Sequence, residues 1–370
     1  MKLTGVRKGI EAEPERQRRR PREKKMEDEI QNFIKVWIKA IVCLCYCYYV
    51  SSRIPKGIFR LLSLLPIVFI FLLLPLTLIP NSFFHVAGPT IFFLVWLCPF
   101  KLLIFSFDQG PLSPLPPNIL HFILIASLPI KVNPQDLTKN PEKQISILKL
   151  KPILFIKLLL LAAIVRAYAY RDNLHPHLIL FFYCCHIYLG LELILGLCAA
   201  PTQAVFGFQI EPQFNEPYLT TSLQDFWGRR WNLMVTSILR PTVYDPIRRM
   251  CTRVLGPHYG SMPAMLASFL VSGLMHELIY YYLIRVPPTW EVTWFFVLHG
   301  VCTAVEVEVK RVARRRGWRL HRFVSGPLTV AFLAVTGEWL FFPQLKRNGV
   351  DTKVIEEYSV MVDFVKSKLQ

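Results

Sequence analysis

The sequence lacks the short motifs that identify most soluble enzymes. It contains no GxSxG nucleophile elbow, no P-loop and no GxGxxG fingerprint. His276 and Glu277 could begin an HExxH zinc motif, but Tyr280 stands where the second histidine is required. No serine or cysteine stands beside a base in a nucleophile motif. The sequence therefore argues against zinc proteases, α/β-hydrolases and nucleotide-binding enzymes.

Cysteine pairs are missing as well. The chain has nine cysteines, but none forms a CxxC pair and no Cys/His spacing suits zinc. Most of them lie inside apolar blocks, where a cysteine behaves as a small hydrophobic residue. We expect neither a metal site nor a disulfide framework.

Acidic residues are scarce: 25 Asp and Glu stand against 43 Lys and Arg, a formal net charge of +18. Such a charge often indicates nucleic-acid binding. Here the basic residues lie between long apolar blocks, at 131–151, 229–253 and 310–322. Lys and Arg concentrate on the cytoplasmic loops of membrane proteins, and two predicted spans separate each loop from the next. The charge therefore predicts three loops on one side of a membrane and no nucleic-acid partner.

Long apolar blocks are what the sequence has in excess. Hydrophobic residues make up 53% of the chain, and its mean hydropathy is +0.37. A membrane-crossing helix needs about 20 apolar residues, and blocks of this kind lie at 33–50, 61–80, 84–107, 118–131, 153–170, 177–199, 262–284, 290–309 and 323–343. The block at 118–131 is short and could be re-entrant. The predicted fold is an all-α polytopic membrane helical bundle of about seven to nine transmembrane helices.

Composition divides the chain into four parts. Residues 1–25 form a basic extension without the apolar core of a secretory signal; we expect it to be disordered, with an ER-retention or lipid-surface role as the alternative. Residues 26–200 contain the N-terminal transmembrane helices, 201–343 combine a polar insertion with further spans, and 344–370 form a tail. The apolar stretch 232–239 within the insertion predicts either a surface amphipathic helix or a re-entrant segment.

Two predicted spans carry ionisable residues, which are costly inside a membrane and commonly functional. His276 lies near the middle of 262–284, on a polar stripe with an interval of four residues. His299 and Glu306 share one face of the next span. Each histidine could take part in chemistry or could bond a neighbouring helix for packing, and Glu306 could simply pair with Lys310.

An intramembrane histidine without a covalent partner suits direct acyl transfer to a lipid alcohol. An alcohol is a poor nucleophile at neutral pH and needs a positioned base. Burial away from water favours the neutral form of histidine, and a dry site prevents hydrolysis of an activated donor. The arginines of 229–253 could bind the phosphates of a CoA donor, or they could belong to an ordinary positive-inside loop.

Two motifs make the chain recognisable. SLQDFWGRRWNLMVTSILRPTVYDP (222–246) and FLVSGLMHELIYYYL (269–283), together with LLIFSFDQGPL (102–112), closely resemble the plant wax synthase group. That group belongs to the membrane-bound O-acyltransferase (MBOAT) superfamily and includes long-chain-alcohol O-fatty-acyltransferases and plant acyl-CoA sterol acyltransferases. The likeness extends through much of 33–343 and does not cover 1–25. The two longer motifs together are specific, whereas the His-Glu pair alone would not be.

The resemblance implies roles for several residues. The family's intramembrane histidine corresponds to His276, which is implied to be the general base. Its polar asparagine corresponds to Asn232, which is implied to orient a substrate or to bind the reacting carbonyl. Substrate contacts are expected from a further set: Trp231, Arg229, Arg230, Glu277 and His299.

The resemblance also implies an MBOAT-type bundle with an acyl-CoA-dependent O-acyltransferase activity in the endoplasmic reticulum membrane. Fatty acyl-CoA would be a co-substrate, with no permanently bound cofactor. A long-chain fatty alcohol is the expected acceptor and would give a wax ester; a sterol is the alternative, and diacylglycerol a weaker one. The competing class is a non-enzymatic lipid transporter, which would not need a CoA-binding loop and would often show internal symmetry that is not found here.

Overall fold

The computed structural model describes residues 12–78, 83–130, 152–206, 212–318 and 320–369, and all regular structure in these ranges is helical, with no strand. The all-α prediction is confirmed. The main helices are α1 (Ala12–Tyr49), α2 (Ile58–Leu73), α3 (Phe84–Phe105), α4 (Ile119–Ser127), α5 (Pro152–Ala167), α6 (Pro176–Phe206), α7 (Leu233–Leu239), α8 (Asp245–Tyr259), α9 (Ser261–Ile284), α10 (Glu291–Arg315), α11 (Arg322–Thr336) and α12 (Val350–Leu369).

Eight segments within these ranges are long and apolar enough to cross a membrane, which confirms a multi-pass membrane protein. They correspond to eight of the nine predicted blocks. They are Glu27–Arg53, Ile58–Thr77, Phe84–Phe105, Ile153–Asn173, Pro176–Cys198, Ser261–Ile284, Glu291–Arg315 and Arg322–Phe341.

The block predicted at 118–131 does not form a span. Its helix α4 has nine residues, a length of about 14 Å, which is half of what a membrane requires. Lys101 of α3 is fully buried, and its Nζ donates to the carbonyls of Ile125 and Leu128, each at 2.6 Å. The lysine thus donates to carbonyl groups that the C-terminal end of α4 leaves without helical partners. Because its side chain is fully buried in protein, its charge is not exposed to lipid.

The structure describes only part of the N-terminal extension and of the predicted loops. The helix α1 includes residues 12–25, so this part of the predicted disordered extension is helical, while residues 1–11 lie outside the described ranges. The predicted basic loop at 131–151 also lies outside them. The division at residues 26, 201 and 344 stays a prediction.

Two arrangements position the candidate site. The most apolar window of α3 is 72% buried, against at most 44% in the other spans, so α3 lies at the centre of the bundle. The helices α9 and α10 approach closely, because a Cβ atom at Gly273 would lie 2.9 Å from the Cα of Thr293 and one at Gly300 would lie 3.0 Å from the Cβ of Phe269. Small residues at such crossings let helix backbones come together in a membrane.

Candidate functional site

His276 lies in α9, within a shell of aromatic rings from other helices. Its ring centroid is 4.4 Å from that of Phe296 in α10, 5.2 Å from that of Trp96 in α3 and 5.9 Å from that of Phe341 after α11. Trp96 and Phe296 are buried, whereas His276 is partly exposed. Apolar rings therefore shield the imidazole from water on several sides while leaving it accessible on another.

π-Helical turns supply two of these rings. Trp96 lies in the turn Phe92–Leu97, and Phe341 lies in the turn Gly337–Phe341. Such turns are rare in proteins, and those that occur are often found at functional sites. In α3, Pro99 has no N–H for the carbonyl four residues before it, which gives the irregular turn a local cause.

The hydrogen bond of His276 determines which ring nitrogen can act as a base. Its Nδ1 lies 2.8 Å from the carbonyl oxygen of Ser272, one turn earlier in α9. A carbonyl oxygen can only accept, so in the neutral imidazole Nδ1 carries the proton and Nε2 carries the free lone pair. Nε2 has no hydrogen-bond partner among the residues that the structure describes. A base that takes a proton from a substrate requires this arrangement.

His299 has the same backbone bond but a different outcome. Its Nδ1 lies 2.9 Å from the carbonyl oxygen of Phe295, and its Nε2 lies 3.2 Å from Oγ1 of Thr336. The residue is fully buried. Both ring nitrogens are engaged by protein, so the geometry favours a supporting role for His299 over the substrate contact that the sequence predicts.

Glu277 points into the crossing between α9 and α10. It is buried, and its Oε1 accepts from the backbone N–H of Thr293 at 3.3 Å. Thr293 is the third residue of α10, where backbone N–H groups lack partners within the helix. Glu277 therefore accepts from an N–H group at the start of α10 that has no partner within the helix. This bond again favours a structural role over the predicted substrate contact.

Asn232 begins α7 in an unusual backbone conformation. Its φ of 41° and ψ of 66° place it in the left-handed region, which asparagine tolerates better than most residues. Its Oδ1 accepts from the N–H of Val235 at 3.3 Å and so caps the helix. Over the described ranges, its side-chain amide donates to no protein group. Because the oxygen is held, the NH₂ group is left to donate to a ligand.

Two tryptophans connect the surroundings of Asn232 to those of His276. Met234 of α7 belongs to the buried cluster that contains Trp96. On the other side, the carbonyl of Trp227 accepts from Oγ1 of Thr236 at 3.3 Å, and the Trp227 ring lies 5.6 Å from that of Phe296. The helix that Asn232 begins thus contacts two tryptophans. Trp96 lies directly against His276, and Trp227 packs on Phe296, which lies against His276.

Trp227, which the sequence prediction does not name, packs closer to the rings around His276 than the stacking of Trp231 would suggest. The Trp231 ring stacks on Phe226 at 5.3 Å and meets Phe214 at 5.1 Å, which places it in an aromatic cluster of the loop. Trp227 instead packs on Phe296, which itself stacks on His276. Both tryptophans stand in the motif DFWGRRWN, and no sequence signal distinguishes them. Trp227 therefore reaches the surroundings of His276 through Phe296, whereas Trp231 packs against the buried cluster that contains Trp96.

The two neighbouring arginines of the motif also separate. Arg230 bonds Asp225 at 2.6 Å and the carbonyls of Asn215 and Glu216 at 3.2 and 3.1 Å, so it braces the loop. Arg229 is exposed, and it bonds no side chain or backbone group in the described part of the chain. Of the two predicted contacts, Arg229 is the one available to a phosphate.

A second set of arginines lies on α8. One face of this helix forms a shallow groove that is lined mainly by arginines. Its lining residues are Asp245, Arg248, Arg249, Thr252 and Arg253. The three arginines are exposed, and a guanidinium group binds phosphate oxygens with two parallel hydrogen bonds. Within the same described ranges, no three His, Cys, Asp or Glu side chains are placed to bind a metal ion.

Comparison with known proteins shows which proteins the chain is similar to. Residues 210–298 match the model of the "Membrane bound O-acyl transferase family". The chain is 50% identical over 348 residues to "Long-chain-alcohol O-fatty-acyltransferase" from Simmondsia chinensis, covering 93% of this chain and 98% of that protein. It is also 50% identical over 345 residues to "Probable long-chain-alcohol O-fatty-acyltransferase 1" from Arabidopsis thaliana, covering 92% and 98%. The matched region contains both Asn232 and His276.

Proposed function

The chain belongs to the membrane bound O-acyl transferase family, and on that premise we propose that this O-acyltransferase esterifies long-chain fatty alcohols. The donor is a fatty acyl-CoA, the products are a wax ester and free CoA, and the compartment is the endoplasmic reticulum membrane. The names of the similar proteins favour a fatty alcohol over a sterol or diacylglycerol as the acceptor.

The free Nε2 of His276 carries this proposal. The alcohol O–H donates to Nε2, which takes the proton as the alcohol oxygen attacks the carbonyl carbon of the thioester. The new O–C bond forms, the C–S bond breaks, and the departing sulfur takes the proton back from Nε2. Acyl transfer is direct and uses no acyl-enzyme. The aromatic shell around His276 excludes the water that would otherwise compete with the alcohol.

Asn232 supports the reacting carbonyl. Its free NH₂ group donates to the thioester oxygen, where negative charge develops in the transition state. A single donor of this kind contributes about 3–4 kcal/mol to transition-state stabilisation. The amide is preorganised because its oxygen is already bonded to the N–H of Val235.

Arginines hold the polar end of the donor. Arg229 and the arginines of the α8 groove present guanidinium groups that suit the phosphates of CoA. The acyl chain and the alkyl chain of the acceptor are both apolar, so both reach His276 from the membrane.

The test uses microsomes from a host that makes no wax ester. Labelled palmitoyl-CoA is supplied with hexadecanol, with a plant sterol or with diacylglycerol, and the labelled ester is identified. We expect wax ester from the wild type and a loss of about 100- to 10,000-fold in His276→Ala, the range for removal of a general base. His177→Ala is the matched control, because His177 is an exposed histidine at the start of α6. We expect this variant to have normal activity.

Each result has a distinct reading. Ester formation with the sterol alone would overturn the proposed acceptor. Full turnover by His276→Ala would overturn the proposed base.

A further inference from the structure

The segment that leads to Asn232 is an internally braced unit, which we call the motif unit (residues 221–231). Ser222 Oγ accepts from the N–H of Asp225 at 3.1 Å, and Asp225 Oδ2 accepts from the N–H of Thr221 at 3.2 Å. The same Oδ2 accepts from Nε of Arg230 at 2.6 Å, and the N–H of Trp231 donates to the carbonyl of Phe226 at 2.9 Å. These bonds tie the motif unit to itself, so it behaves as one rigid piece.

Two contacts attach the motif unit to α10. Trp227 packs against Phe296 and His299, at ring distances of 5.6 and 5.5 Å. One turn earlier in the unit, the N–H of Leu223 donates to Oε2 of Glu306 at 2.7 Å. Glu306 follows His299 by seven residues on the same helix face, a rise of about 10 Å. Two separated contacts fix both the position and the orientation of the motif unit relative to α10.

Glu306 is itself held in place. Its Oε1 accepts from Nζ of Lys310, one turn later in α10, at 2.8 Å. The carboxylate is mostly shielded, with 21% of the side chain exposed. One oxygen is therefore used within α10 and the other across the gap to the motif unit, so the lysine pairing that the sequence suggested is only half of the role of Glu306.

We propose that Glu306 is a positioning residue that sets the distance between Asn232 and His276. The inference rests on the proposed function, because it concerns the geometry of the same reaction. Phe296, which stacks on His276, and Glu306, which holds the motif unit, belong to one helix. The helix α10 thus carries both halves of the site in register. A displacement of about 1 Å in such a site can reduce turnover by about 100-fold.

The first comparison removes and then restores the oxygen acceptor. Glu306→Ala deletes the acceptor of the Leu223 N–H, whereas Glu306→Gln keeps a carbonyl oxygen on a side chain of the same length. We expect Glu306→Ala to lower kcat at least about tenfold, with a KM for the alcohol within about twofold of the wild type, because the alcohol still binds but meets a displaced carbonyl. Glu306→Gln should retain most of the activity.

Glu308 provides the matched control. It lies two residues further along α10 and bonds Arg311 in its own helix at 2.7 Å, so Glu308→Ala removes a carboxylate without touching the motif unit. We expect it to keep the kcat of the wild type. Equal losses in Glu306→Ala and Glu308→Ala would overturn the proposal.

A second pair of variants tests the same bond from the other side. Leu223→Pro removes the N–H donor at the first helical position, where proline is tolerated. Leu223→Ala removes a similar amount of buried side chain but keeps the N–H. The proposal expects Leu223→Pro to lower kcat well beyond Leu223→Ala, and it fails if the two are alike. This pair keeps the proposal testable should Glu306→Ala not fold.

Hydrogen exchange separates this proposal from the proposed function. The full-length protein in lipid nanodiscs is followed at peptides that cover the motif unit. Glu306→Ala should speed exchange there and leave α9 unchanged, while Glu308→Ala changes neither. Unchanged exchange in the motif unit overturns the positioning role, and so does faster exchange with normal kcat. If the wild type makes no ester from any acceptor, the proposed function fails, and the exchange result still decides whether Glu306 holds the motif unit.

Discussion

At the scale of single residues, the partner of one nitrogen distinguishes a candidate base from a structural histidine. His276 and His299 both bond the carbonyl four residues before them. Thr336 occupies Nε2 of His299, whereas no described residue occupies Nε2 of His276. The same contrast separates Arg230, which braces its loop, from exposed Arg229. Residues of the same type thus differ in whether they are free to bind a substrate, because their hydrogen-bond partners differ.

The helix cap formed by Asn232 and its proposed donor role can be separated by substitution. Asn232→Asp keeps a side-chain oxygen that caps α7 and tolerates the left-handed backbone, but an ionised carboxylate cannot donate. We expect its melting temperature to stay near that of the wild type while turnover falls by about 100- to 1,000-fold, the effect of losing one donor to a developing oxyanion. Melting curves and ester formation on the same preparation measure both. Normal turnover with an intact helix would contradict the donor role.

Arg229 should affect only the polar end of the donor. We expect Arg229→Ala to raise the KM for acyl-CoA several-fold and to leave kcat nearly unchanged, because the lost contact is equal in the ground and transition states. With an acyl thioester that lacks the CoA phosphates, the variant and the wild type should behave alike. A defect that persists with the truncated donor would argue that Arg229 supports the loop instead.

At the scale of elements, close helix crossings and irregular turns build the site. The helices α9 and α10 meet at Gly273 and Gly300, which brings Phe296 against His276. π-Helical turns then place Trp96, Trp227 and Phe341 around the same region. Removing the one extra residue of such a turn would rotate all following side chains by about 100° around the helix axis. The irregular elements are therefore part of what arranges the aromatic shell.

Substitution of two helical glycines should reveal the crossing of α9 and α10. A Cβ atom at Gly273 would lie 2.9 Å from backbone atoms of Thr293, whereas nothing lies within 4 Å of one at Gly196 in α6. We expect Gly273→Ala to destabilise the protein by about 1–3 kcal/mol, the cost of overpacking. Gly196→Ala should be neutral or stabilising by up to about 1 kcal/mol, since alanine favours a helix. Thermal unfolding in detergent gives both values, and a stable Gly273→Ala would contradict the close crossing.

At the scale of the whole molecule, contacts between segment ends agree with eight alternating crossings. The N–H of Gly57, before α2, donates to the carbonyl of Ser106, after α3, at 2.8 Å. At the opposite ends of those helices, Arg285 donates to the carbonyl of Pro75 at 2.7 Å, and Glu357 of α12 accepts from the N–H of Phe84 at 2.6 Å. These pairings place residues 57 and 106 on one side and residues 75, 84 and 285 on the other, as expected for an odd number of spans between residues 106 and 285 that includes α5, α6 and α9 but not α4. They place α8 and residues 316–318 on one side, with α12 on the other.

Accessibility in sealed microsomes tests this topology. An epitope inserted at 317, between α10 and α11, should be digested by added protease, because the positive-inside rule predicts that the arginine-rich connection faces the cytoplasm. An epitope at 287, between α9 and α10, should be protected until detergent is added. The two insertions lie in short connections at opposite ends of α10, so each serves as the control of the other. Protection of the epitope at 317 would reverse the assignment.

The amino-acid sequence alone determined the membrane-spanning architecture and the two motifs, because long apolar runs suit few environments and the motif residues are close neighbours in the chain. It also predicted His276 and Asn232, although their roles stay predictions. Only the tertiary structure decided that α4 does not span, that Trp227 packs on the Phe296 ring beside His276, and that both ring nitrogens of His299 are occupied. Each of these outcomes depends on a partner far away in the chain, such as Lys101 for α4 or Thr336 for His299. Hydrophobic pattern specifies which helices form, whereas the polar partners of each side chain are known only once the helices have packed.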